Sequence, residues 1–151
     1  MRTLIVYDSV YGNTEKIARG MAEAVALRAE VKVLPAGDAD ISDVSSGDFL
    51  IVGCPTHGGR PTQAMQAFLG KIPDGSLQGT KAGAFDTRAS ARWARIFGFA
   101  AGRIAASLRR KGASLIASPE GFFVKGKEGP LKDGELERAV DWARRIVEIT
   151  G

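Results

Sequence analysis

The 151-residue chain is short of the residues on which most protein chemistry is built, with one cysteine, Cys54, and one histidine, His57. A single thiol makes no internal disulfide, so a disulfide framework is excluded and a reducing, cytoplasmic setting is expected. No Cys, His, Asp or Glu cluster has metal-ligand spacing, so no metal site is expected. Neither a Ser-His-Asp order nor a paired-carboxylate constellation is visible, so no catalytic side chain is assigned. The G-x-G-x-x-G of a dinucleotide site and the G-K-[ST] of a P-loop are both missing. No apolar run reaches the roughly 20 residues of a membrane span. The N-terminus enters a strand-like run within four residues, so no leader is expected. Repeats, low-complexity tracts and linkers are absent too.

What remains is ordinary in bulk: 44% apolar, 25% charged, net charge +4. That suits a single domain over residues 1–151 with one proper core. The positive charge favours anionic partners and says nothing about fold. Along the chain, strand-like and helix-like patterns alternate. Thr3–Asp8 reads as a buried strand. Thr14–Ala29 puts Ile17, Met21, Ala24, Val25 and Ala29 at helical spacing. In the next strand Val31, Val33 and Pro35 share a face. Phe49–Pro55 is the most apolar run and reads as a central strand. A helix follows with Ala64, Met65, Phe68 and Leu69 on one stripe, then a small-residue strand, Thr80–Asp86. "FAAGRIAASLRRKG" is a helix closed by Gly112, and "SLIASPEGFFV" a last strand broken at Pro119. In the final helix Leu136, Val140, Ala143 and Val147 face inward, and Trp142 packs at core or surface. Residues 37–47 are polar with a short helix at Ile41–Ser45; residues 126–134 form a charged Gly/Pro loop. Five βα units predict an α/β fold, an open parallel sheet with helices on both faces and right-handed crossovers.

In such sheets ligands bind beyond the carboxyl ends of the strands. Three segments lie there. In Ser9–Thr14, "SVYGNT", Gly12 lets backbone approach a ligand while Ser9, Tyr11, Asn13 and Thr14 bring polar groups to a helix start. That is either a phosphate cradle without a lysine or a plain cap made by Asn13. In Pro55–Arg60, "PTHGGR", Gly58 and Gly59 allow positive φ or a peptide flip; Pro61 suits a first helical turn. Its alternative is a surface loop with a histidine. Thr87–Trp93 is the third. Cys54, ending a buried strand, reads as a packed and inert thiol.

The first two segments together resemble the flavodoxins. "VYDSVYGNTEKIA" is similar to their FMN phosphate loop, and "VGCPTHGGRPTQAMQAFL" to the loop that carries one wall of the flavin site. The second also resembles the P-T-H-x-G-R-P stretch of flavodoxin-like quinone reductases. The resemblance spans the chain in length and element order and loosens after about Ala84. It implies a three-layer sandwich with a five-stranded parallel sheet of order 2-1-3-4-5. It implies that Ser9, Val10, Tyr11, Gly12, Asn13 and Thr14 wrap the phosphate of FMN, and that Pro55 and Thr56 contact the ribityl chain. His57 takes the place where many flavodoxins put a tryptophan, and Gly58 or Gly59 offers the carbonyl that meets flavin N5. The third segment departs from the family. Asp86, Thr87 and Arg88 fall by the ring edge, Ala89 stands where an acidic residue is usual, and Trp93 is the candidate second wall, with Phe97 and Phe99 as alternatives and a core anchor as its other reading.

The expected function is therefore FMN-dependent electron transfer between redox partner proteins. The alternatives are an FMN-dependent NAD(P)H:quinone-type oxidoreductase and a flavin-free binding module. Nucleic-acid binding, which rests on charge alone, ranks last, and no membrane span and a monomer are expected. Typical flavodoxins are acidic and this chain is not. Arg60, Arg88, Arg92 and Arg95 beside the site would stabilise a reduced, anionic flavin and favour partners with an acidic docking surface. A bare charge at about 8 Å and an effective dielectric of about 20 is worth roughly 2 kcal/mol before screening. The other reading is a solvated loop whose arginines point away.

Overall fold

A computed structural model describes residues 2–45, 47–89 and 99–150. The apolar runs become β1 (Arg2–Tyr7), β2 (Glu30–Pro35), β3 (Phe49–Pro55) and β4 (Lys81–Ala89). The fifth position is filled by two pieces, β5 (Ser114–Leu115) and β6 (Glu120–Val124), both paired with β4. All pairs are parallel, in the order β2-β1-β3-β4-β5, as expected from the sequence. The α-helices among the described residues are α1 (Asn13–Ala26), α2 (Ile41–Ser45), α3 (Gln63–Lys71), α4 (Ala100–Arg110) and α5 (Glu135–Thr150).

Strand alternation splits the core into two layers. Leu4, Val6, Leu50, Val52, Cys54, Ala82 and Ala84 face α3 and α4, meeting Met65, Phe68, Ile104 and Leu108. Ile5, Tyr7, Phe49, Ile51 and Phe85 face α1 and α5, meeting Ile17, Met21, Ala143 and Ile146. Each large apolar side chain so buried contributes about 1.5–3 kcal/mol relative to exposure. Phe85, Phe122 and Trp142 form an edge-to-face trio with ring centroids 6.1–6.4 Å apart. Trp142 is thus a core residue. Gly53 makes room for the trio, since a Cβ there would lie 2.3 Å from the Phe85 ring.

The last strand is broken at Pro119, as expected: Ala82 faces Leu115 while Phe85 faces Glu120. Residues 116–119 therefore stand opposite only Gly83 and Ala84, a bulge ending at Pro119. Three details differ from the sequence reading. Helix α1 stops at Ala26, where Arg28 and Ala29 both donate their N–H to the Val25 carbonyl. On α5 the buried face is Ala139, Trp142, Ala143, Ile146 and Val147. Leu136 and Val140 lean instead on Gly20 of α1, and Leu136 stays 39% exposed. Ala64 is exposed, and α3 starts one residue later than Thr62, whose hydroxyl caps it by accepting from Met65 N–H.

Candidate functional site

The site is built at the carboxyl edge of the sheet. After β1 the chain turns at Gly12, whose φ of +90° and ψ of −7° are left-handed, and α1 begins at Asn13. An L-residue avoids that conformation, so the glycine is what lets the loop fold tightly onto the helix. Ser9 Oγ sits inside the loop and accepts from Gly12 N–H (3.1 Å) and Glu15 N–H (3.3 Å). Asn13 is not the cap. Its Nδ2 donates across the site to the Glu128 carbonyl at 2.8 Å. The N–H groups of Val10, Tyr11, Asn13 and Thr14 donate to no described residue. Asn13 and Thr14 are buried, so these are donors at a helix end that carries about half a positive charge. The Thr14 and Thr87 hydroxyls meet at 2.7 Å and join this loop to β4.

After β3, His57 and Arg60 exchange N–H···O bonds of 2.9 and 3.0 Å around Gly58 and Gly59. The glycine φ values are +57° and +78°. Positive φ at both central positions makes a tight two-residue turn that glycine alone fits without strain. The Gly59 carbonyl accepts from Arg103 Nε at 2.9 Å, which anchors the turn to α4. Thr56 Oγ1 accepts from Ala100 N–H at 2.9 Å and caps the same helix.

The third segment opens as strand: Thr87, Arg88 and Ala89 continue β4 and pair with Phe122–Val124. Asp86 and Arg88, two apart, share the α4 side. Asp86 is fully buried, grips Arg88 with two bonds of 2.7 and 2.8 Å, and accepts from Ala101 N–H at 2.9 Å. The Arg88 guanidinium lies 3.5 Å over the Phe99 ring and against Gly121, where a Cβ would clash. Arg88 therefore brings an ion pair to the site rather than a bare charge.

These elements enclose a cleft of about 720 Å³. Of the residues singled out in the sequence, it is lined by Val10, Tyr11, Asn13 and Thr14; by Pro55, Thr56, His57, Gly58 and Gly59; and by Thr87 and Arg88. Ser9 and Gly12 shape the first loop from behind, and Asp86 lies beneath Arg88. Trp93, Arg92, Arg95 and Phe97 fall outside the described residues. Phe99, the remaining aromatic alternative, lines the cleft with its ring already covered by Arg88. Val124, Gly126 and Lys127 also line it and were missed. Applying the strand-end rule to the last strand would have found them, because Val124 ends β6 and Gly126 and Lys127 follow it.

Cys54 points away from this chemistry. Burial, then the nearby Asp86 and Asp8 carboxylates, push its thiol up to about 12 against the pull of Thr62. Ellman's reagent at pH 8 should leave the native thiol unmodified and label it fully once urea unfolds the chain. The raised value also sets a sign. Above about pH 9 the unfolded thiol ionises while the folded one keeps its proton, so Cys54 lowers stability from pH 9 up towards pH 12.

Among the described residues no group of His, Cys, Asp and Glu could hold a metal ion, and no helix is long and apolar enough to cross a membrane. The flavodoxin family profile matches residues 5–142. An NAD(P)H dehydrogenase (quinone) of Cupriavidus metallidurans is 31% identical in an alignment of 114 positions that covers 59% of this chain and 57% of that protein. A flavodoxin of Megasphaera elsdenii is 34% identical in an alignment of 84 positions that covers 54% of this chain and 61% of that one. The chain thus spans about three fifths of the curated relatives it matches. Oxidised flavodoxin 2 of Bacillus cereus superposes with a TM-score of 0.83 at 23% identity, over 99% of both chains, and so shares the fold. With the fold, the strand-end site and a profile match over most of its length in agreement, the chain belongs to the flavodoxin family.

Proposed function

We propose that the cleft holds FMN and that the protein carries electrons between redox partners. The observation that carries this reading is the set of N–H donors at Val10, Tyr11, Asn13 and Thr14, which converge on a helix N-terminus and have no described partner. A phosphate dianion suits them, and buried N–H groups left unpaired would be costly. FMN supplies the redox chemistry when bound; the chain supplies orientation and electrostatics. Pro55 and Thr56 line the path a ribityl chain would take, and the exposed Val10 and Tyr11 give apolar surface at its mouth. Arg103 holds the Gly59 carbonyl, so the Gly58 carbonyl is the one available to flavin N5. His57 is the candidate wall on this side, and Trp93 the candidate on the other.

Adding FMN, removing the excess and recording the visible spectrum tests the proposal. Retained flavin bands with quenched fluorescence support it. No retention at micromolar concentration sinks it in favour of a flavin-free binding module. A second reading, an NAD(P)H:quinone reductase, is favoured by the 31% identical dehydrogenase. Steady-state NADPH oxidation with a quinone, by the flavin-loaded protein alone, separates reductase from carrier.

A further inference from the structure

A second concavity, about 370 Å³, runs between α3 and α4 on the sheet face away from α1. Arg60, Arg103 and Arg110 line it, with Gln66, Gly70 and Ser107 between them. None of its described lining residues is acidic. Elsewhere several arginines are matched with carboxylates, Arg19 with Glu15, Arg28 with Glu148 and Arg138 with Glu135 and Glu120, while Arg2, Arg109 and Arg145 have no ion pair to a described residue and line neither this groove nor the cleft. Arg60, Arg103 and Arg110 are exposed and have no ion-pair partner among the described residues. Lys111, at the far end, is committed: its ammonium donates to the Ile72 carbonyl at 2.6 Å.

Helix stability does not account for this set. Arg110 in the last turn of α4 complements the helix dipole, but Arg103 sits in the first turn, where a cation is disfavoured. Its one described bond is to the Gly59 carbonyl, so the groove and the His57–Arg60 turn of the cleft share a residue. Arg103 and Arg110 are seven residues apart on one helix face, about 10 Å along the axis. An extended chain with carboxylates three residues apart spans that distance.

We infer that the α3–α4 groove is the docking site for an acidic segment of a partner protein, seated beside the turn that borders the cleft. This rests on the reading of the protein as an electron carrier and names where its partner binds.

The test titrates the FMN-treated, ¹⁵N-labelled protein with an acetylated peptide of four Glu-Glu-Gly repeats at low salt. Amide shifts are expected at Arg60, Gln66, Gly70, Arg103, Ser107 and Arg110. The double variant Arg103→Gln/Arg110→Gln should weaken binding at least tenfold, while Arg28→Gln/Arg144→Gln, with the same charge change, should not. Shifts mapping elsewhere would overturn the inference, as would equal losses in both variants. So would inorganic pyrophosphate displacing the peptide at concentrations below the peptide's own Kd, because the groove would then suit a compact anion. Failure to retain FMN sinks the carrier reading whatever the peptide does; retained FMN with no peptide binding sinks the docking site alone.

Discussion

Riboflavin should bind this protein at least 100-fold more weakly than FMN. The two differ by the phosphate, and the candidate cradle for it is four backbone donors at the start of α1. Hydrogen bonds to a charged group are worth about 1.5–3 kcal/mol each. Even two of them amount to about 3–6 kcal/mol, and about 1.4 kcal/mol is tenfold in affinity. Salt should matter little for FMN. Of the Arg and Lys residues known to line the cleft, Arg88 and Lys127, Arg88 is already neutralised by Asp86. Fluorescence-quenching titrations of both flavins at two salt concentrations measure the ratio and its screening. Equal affinities would mean that the phosphate does not lie on this loop.

Asp86→Ala should be among the most destabilising single substitutions in the chain, at about 3–5 kcal/mol. The carboxylate is fully buried and has two jobs: it neutralises Arg88 and it satisfies the Ala101 N–H at the start of α4. Without it, a guanidinium held between Phe99 and Gly121 has no described counter-charge. Asp86→Asn should cost less, because an amide oxygen can still accept from Ala101 while its NH₂ faces the guanidinium. Urea midpoints at constant m-value give the order wild type, Asn, Ala. Wild-type stability in the alanine variant would mean that Arg88 swings out into solvent at no cost.

The layers of the fold were readable because the sheet is buried on both faces. Short β-branched runs between helical stripes leave few arrangements, and the order 2-1-3-4-5 follows from the family resemblance. Two of the three site segments were readable for a related reason: glycine and small polar residues right after a buried strand have little structural excuse. The third was harder. Thr87-Arg88-Ala89 looks like the start of a loop in one dimension, but β6 pairs with it and keeps it extended. The Asp86–Arg88 pair turned the expected bare charge into a neutral one, and no composition or spacing argument distinguishes those. Lys127 and Gly126 were passed over because a charged Gly/Pro stretch reads as solvated. What brings them to the cleft is the bulge that shifts β6 along β4, a register that pattern alone does not contain.

The bond from Asn13 to the Glu128 carbonyl joins positions 115 residues apart. During synthesis the loop after β1 is translated long before its contact on that side. A ribosome-bound chain ending before residue 120 has the glycine turn and the helix start but lacks β6, Gly126, Lys127 and Glu128. It offers a half-built cleft. The side of the cleft that carries Gly126 and Lys127 is therefore completed only after the first four strands of the sheet have been made.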